Sequence, residues 1–274
     1  MLQVMAASIS SMNIALSMMP TPQGGFDFSV LTQAGGSQGV AFNAGSVKSK
    51  LDNAEKNEAK DVKQIAEEPQ TKKDLARYAK VVKEAKSLDD VLNDPIARKV
   101  FLKASGLGDQ VDYVALAKKA LSSDLEDTSS LAYRLSSTNG LWLEAAKKHN
   151  FHLFGADLLK LSTSIKEISD NYAGEIRLDR LDQQMPGLGS AVLFKRMASS
   201  LDTPIKILGS ALGREVVTTA LGLPKQIALQ SLEAQTKAIS QRLDAKKLKD
   251  PEFVDKLVQR YLIQLNGGAG GVTA

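Results

Sequence analysis

A block of residues near position 92 recurs near position 208, and this internal duplication narrows the possible folds more than any other feature of the chain. Leu92, Arg98, Val100, Ala104, Gly106 and Leu107 return as Leu208, Arg214, Val216, Ala220, Gly222 and Leu223, all at one offset of about 116 residues. Each block follows a Ser-Leu-Asp tripeptide, Ser87 to Asp89 and Ser200 to Asp202, which implies three residues inserted in the second copy. The recurring residues are those that start, pack and stop a helix. The repeat therefore speaks to architecture before it speaks to chemistry.

Composition agrees with a helical reading. In 274 residues, 43% are hydrophobic but only 5% aromatic, and Pro is scarce, a balance that favours helices packed through aliphatic stripes. The expected class is all-α: a multi-helix domain built from an internal duplication joined by a long connecting helix, with a flexible N-terminal head. Lys and Arg number 35 against 31 Asp and Glu, interleaved along the chain, with no basic stripe carrying aromatics, so nucleic-acid binding is not expected. The absence of Cys removes disulfides, zinc-thiolate sites and thiol nucleophiles.

Local signals divide the chain. Residues 1–47 carry one charged side chain, Asp27, and read as a charge-poor, flexible head. Polar residues interrupt Leu2 to Met19 and no Lys or Arg precedes them, so neither a Sec signal peptide, a transmembrane helix nor stable membrane insertion is expected. Residues 48–69, rich in Lys, Glu and Asp, read as a solvated helix or linker closed by Pro69. The all-helical body spans 70–266, with a first copy at about 87–135, a connector at about 141–186 and a second copy at about 200–262. Residues 267–274 form a Gly-rich flexible tail.

Within the body, Leu75, Tyr78, Ala79 and Val82 define one helical face over 72–86. Ser87 suits a helix N-cap, and Asp94-Pro95 opens the next helix, because the carboxylate accepts orphan amides while proline has none to offer. Gly106 and Gly222 suit left-handed stops, with Leu107 and Leu223 folding back. Further helices are expected at 112–121 and 225–243. Asp127 and Asp250 read as matching N-caps of the helices that follow. The connector should hold helices at 141–148 and about 156–181, ended by Pro186-Gly187-Leu188-Gly189.

In order, Leu-Asp-Asp-Val-Leu-Asn-Asp (88–94), Ala-Ser-Gly-Leu (104–107), Leu-Glu-Asp (125–127), Pro-Gly-Leu (186–188), Ala-Leu-Gly-Leu (220–223) and Lys-Asp-Pro-Glu-Phe-Val (249–254) resemble one family. It is an uncharacterised all-helical domain-of-unknown-function family of alphaproteobacteria, often encoded in flagellar gene clusters. The resemblance covers about residues 70 to 266 and implies an all-helical fold and a flagellar association. It carries over no catalytic residues.

Few residues could form a site. His149 and His152 could share a metal, but Asn150-Phe151 point to a helix end, where a histidine more commonly meets free carbonyls. Gly187, Gly189 and Ser190 resemble a phosphate cradle, yet the strand, third glycine and Gly-Lys-Ser pattern are missing, and an interhelical turn explains them. Arg98 and Arg214 are expected to pair with a nearby carboxylate such as Asp94 or Asp89, and Asp89-Asp90 to sit in a helix's first turn. No catalytic, cofactor-binding or metal-ligating residue is assigned, and no cofactor is expected. The reading is a non-enzymatic, flagellum-associated accessory or structural protein of a bacterium. Its expected partners are basal-body, rod, hook or export components, met at the flagellum or basal body. The alternative is a cytoplasmic chaperone or adaptor for flagellar export substrates, and a remote one an unrecognised enzyme.

Overall fold

The computed structural model describes residues 44–267, and every regular element in that span is helical. The chain enters through α1 (Ala44–Lys56), α2 (Glu58–Glu67) and α3 (Pro69–Glu84). The first copy follows as α4 (Leu88–Asn93), α5 (Pro95–Ala104), α6 (Val114–Leu121) and α7 (Leu131–Ser136). The connector comprises α8 (Leu141–His149), α9 (Phe151–Phe154), a 3₁₀ turn (Asp157–Lys160), the long α10 (Ser162–Gln184) and α11 (Leu188–Met197). The second copy is α12 (Pro204–Gly209), α13 (Ala211–Ala220), α14 (Leu232–Ser240) and α15 (Pro251–Asn266).

The duplication is visible in the local hydrogen bonding. Ser87 caps α4 in a reciprocal capping box with Asp90, and Asp94 accepts from the Ile96 and Ala97 amides ahead of α5. In the second copy Thr203 caps α12 and Ser210 caps α13. Both α5 and α13 end in the same Schellman motif. The Leu107 amide donates to the Leu102 carbonyl and Gly106 to Lys103, just as Leu223 donates to Thr218 and Gly222 to Thr219. Gly106 and Gly222 adopt φ of 71° and 62°, the left-handed region that glycine enters without a Cβ penalty.

Several expectations change. The Ser-Leu-Asp tripeptides are not equivalent: Ser87 is a cap, whereas Ser200 ends a 3₁₀ turn and Thr203 holds the matching place, so no insertion precedes α12. The span 225–243 is not one helix, because a 3₁₀ turn (Lys225–Leu229) and extended Gln230 precede the Ser231 cap of α14. Asp250 caps α15, but Asp127 accepts from Ser129 within a turn and α7 begins only at Leu131. Residues 48–69 are helical yet not a solvated linker, since Leu51, Ala54 and Ile65 are buried. Most of the head, residues 1–43, and the tail from 268 lie outside the described residues.

The apolar residues gather in two clusters. The first unites α3 to α6 with Trp142, Phe151, Ile168 and Tyr172. The second unites α11 to α15 with Val47, Leu51 and Ala54 of α1. Helix α10 serves both, giving Ile168 and Tyr172 to the first and Leu181 to the second. No helix among the described residues is long and apolar enough to cross a membrane.

Candidate functional site

The turn between α10 and α11 is the strongest ligand candidate in the sequence, and it is filled from within. Gly187 adopts φ of 82°, and a Cβ there would stand 2.7 Å from the Tyr261 hydroxyl. The Gly189 amide, one of those a phosphate would use, donates instead to the Asp182 carboxylate at 2.8 Å, and Ser190 adds a second backbone donor to the same group. Burial raises the Asp182 pKa, which the Gly189 amide opposes, and Asp179 and Glu215 raise it further. An internal carboxylate thus occupies the place of an external anion. The close contacts of Gly187 and Gly189 account for both glycines as an interhelical turn.

The two histidines diverge. His149 is 3% exposed, its ring 5.4 Å from those of Phe101 and Phe151, while His152 is exposed. Burial, assisted by Lys148 and opposed by Glu167, lowers the His149 pKa to about 4. Asn150 does end α8, with φ of 38°, but the ring turns into the aromatic cluster instead of meeting helix-end carbonyls. Among the described residues no group of three or more His, Asp and Glu is arranged to hold a metal ion.

The repeated arginines carry a correction of the same kind. Arg98 does not pair with Asp94 or Asp89: its guanidinium donates to the Leu92 carbonyl at 2.8 Å and to the Val111 carbonyl at 2.9 Å. Arg214 donates to the Leu208 carbonyl at 3.4 Å. Leu92 and Leu208 occupy matching places near the ends of α4 and α12, where carbonyls lack helical donors. Each arginine therefore closes the short helix that precedes its own. Asp94 is engaged by Arg77 at 2.6 Å, Asp89 by Lys118 at 3.0 Å, and Asp90 by the capping box.

Two buried polar centres have no counterpart in the sequence reading. Asp74 on α3 is 3% exposed and accepts from Gln70, Lys99 and Tyr172 at 2.8, 2.5 and 2.8 Å. Its burial would raise the carboxyl pKa, but these three donors outweigh that and hold it low. Arg177 on α10 is 3% exposed and donates to the Asp61 carboxylate and the Ala54 carbonyl. Each buried charge has hydrogen-bond partners on at least one other helix, the arrangement of a structural clamp.

Large apolar side chains are exposed on the second copy, Ile205, Leu229 and Leu232 among them, and on the connector. In α9, Phe151 is buried, whereas Leu153 and Phe154 are 69% and 49% exposed; Leu161, at the entry to α10, is 52% exposed. All three lie on the unrepeated connector, and residue type alone does not distinguish them from core positions.

No curated protein matches the chain. Among solved structures, the fold is similar to the X-ray crystal structure of a protein from Agrobacterium tumefaciens, at 24% identity and a TM-score of 0.66, covering 84% of this chain and 96% of that one. The profile of an uncharacterised family matches residues 104–254, from the end of α5 into α15. Matched over more than half its length, the chain belongs to the family described as Protein of unknown function (DUF1217).

Proposed function

We propose that this chain is a non-enzymatic, flagellum-associated accessory or structural protein that works through protein–protein contacts made by its connector. The observation that carries the contact reading is the trio Leu153, Phe154 and Leu161, held in solvent by a segment whose Phe151 is anchored in the core. Large apolar side chains clustered in sequence on a surface lose water when a partner covers them, which favours association. The interior polar groups support a non-enzymatic role, since Asp74, Arg177 and Asp182 are engaged in holding helices together. The flagellar assignment rests on the family resemblance, whose members are often encoded beside flagellar genes. Basal-body, rod, hook or export components are the proposed partners.

Cell fractionation tests the reading. Flagella purified with their basal bodies are expected to contain the wild-type chain and to lack a Leu153→Asp/Phe154→Asp variant of unchanged helicity. A wild-type chain found only in the cytoplasm would contradict the structural role and favour an adaptor acting on export substrates.

A further inference from the structure

Residues 44–68 form an arm that the first half of the molecule lends to the second. Helix α3 packs against α5 in the first core, but α1 lies on α11 and α15, and α2 runs along α10. Between α2 and α3 the chain changes halves across one extended residue, Glu68, at φ −65° and ψ 142°. Pro69 keeps that residue out of the helical region, so the arm folds back at a single hinge.

Both the floor and the rim of the arm's seat are matched to it. Val47, Leu51 and Ala54, at the i, i+4, i+7 spacing of a helix laid in a groove, join the buried cluster of Val192, Leu257 and Leu262. Every ion pair between the arm and α10–α11 has its acid on the arm and its base on the groove. Glu55 meets Lys195, Glu58 meets Arg196, Asp61 meets Arg177, and Glu68 meets Arg180 through two bonds of 2.7 and 2.6 Å. Exposed pairs add little energy singly, but a one-signed set selects partner and register. Arg177 adds a stricter demand, because both its acceptors, the Asp61 carboxylate and the Ala54 carbonyl, belong to the arm. An empty groove would leave that buried cation stranded.

We propose that the groove on α10, α11 and α15 accepts the arm of a second copy of this chain, giving an arm-exchanged dimer in which each arm completes the other chain's second half. The second copy is the occupant that repeats the apolar stripe and all four acids in register. Exchange repeats across chains the arm's contacts with α10, α11 and α15 and needs the hinge at Glu68 to straighten. In dilute solution the chain's own arm wins, since a short tether gives it an effective concentration on the order of mM. The dimer emerges when self-docking is disfavoured or the protein is concentrated.

Two full-length variants test this. Glu58→Arg/Glu68→Arg reverses the arm, and Arg180→Glu/Arg196→Glu reverses the groove, so each opposes like charges alone. Mixed in equal amounts, they place opposite charges together only across chains. Size-exclusion chromatography with light scattering is expected to give monomers for each variant and twice the monomer mass for the mixture; all four substitutions in one chain should restore the monomer. A mixture that stays monomeric overturns the proposal. Should a reversed chain fail to fold, the otherwise wild-type sequence decides, because it lacks Cys. One batch carries a donor dye at Lys48→Cys and another an acceptor at Gln183→Cys, both exposed positions. Co-incubated at high concentration, they are expected to develop energy transfer between chains that is absent in dilute mixtures. No transfer at high concentration overturns the proposal equally.

Discussion

His149 sits edge-on to Phe101 and beside Phe151, and its burial writes a pH dependence into the fold. Its pKa falls from 6.5 to about 4 on folding, so the unfolded chain binds the proton more tightly. The stabilisation is complete above pH 6.5 and is lost as pH drops toward 4. Denaturant unfolding of the wild type and of His149→Phe should therefore diverge through that window, the wild type losing about 2 kcal/mol more by pH 4.5. Parallel curves would mean the imidazole is not buried as described. The repeated arginines differ in a testable way as well. Arg98 holds two carbonyls at 2.9 Å or less and Arg214 one at 3.4 Å, so Arg98→Met should cost about 2 kcal/mol and Arg214→Met less than about 1. Equal losses measured by thermal unfolding would argue against unequal clamping. Neither clamp was legible in the sequence, where an arginine near two aspartates suggests an ion pair. Asp74 and Arg177 were equally hidden, because their partners Lys99, Tyr172, Asp61 and Ala54 come from helices remote in the chain.

At the scale of elements, the shared helix stop invites a paired comparison. A Cβ at Gly222 would meet nothing within 4 Å, so Gly222→Ala should cost only the left-handed strain, about 1 kcal/mol. At Gly106 the same Cβ would stand 3.0 Å from Leu141 Cδ1, and Gly106→Ala should cost at least as much. Gly187→Ala adds a clash with Tyr261 to the strain and should cost more than either, about 2 kcal/mol or above by denaturant titration. Helix ends governed by adjacent residues were readable in the sequence, as Ser87, Asp94-Pro95, Gly106, Gly222 and Asp250 illustrate. Ends governed by tertiary contacts were not. The helical periodicity from Lys225 to Leu243 runs through Gln230, whose extended backbone nothing in the local pattern demands. The polar composition of residues 48–69 likewise concealed Leu51 and Ala54, which continue from Val47 a stripe that a distant core buries.

The whole molecule is two cores joined by α10 and closed by an arm that crosses between them. Removing residues 2 to 40 ends short of α1 and should leave the circular dichroism of the body almost unchanged. Beginning the chain at Pro69 instead uncovers the seat of Val47, Leu51 and Ala54 and strands Arg177. Amide exchange should then rise across α11 and α15 while α3 and α5 stay protected; uniform protection would show that the second core stands without the arm. Duplication was legible because caps and glycine stops recur in order, whereas two separate cores were not, since apolar spacing does not say which helices meet. The proposed contact surface lies where the duplication does not reach, and co-purification from cells making flagella tests this most directly. The wild type and an Ile205→Asp variant, altered at an exposed position of the second copy, are predicted to retain the same partner, and Leu153→Asp/Phe154→Asp to lose it. Retention of the partner by the connector variant, with loss from Ile205→Asp, would contradict the account.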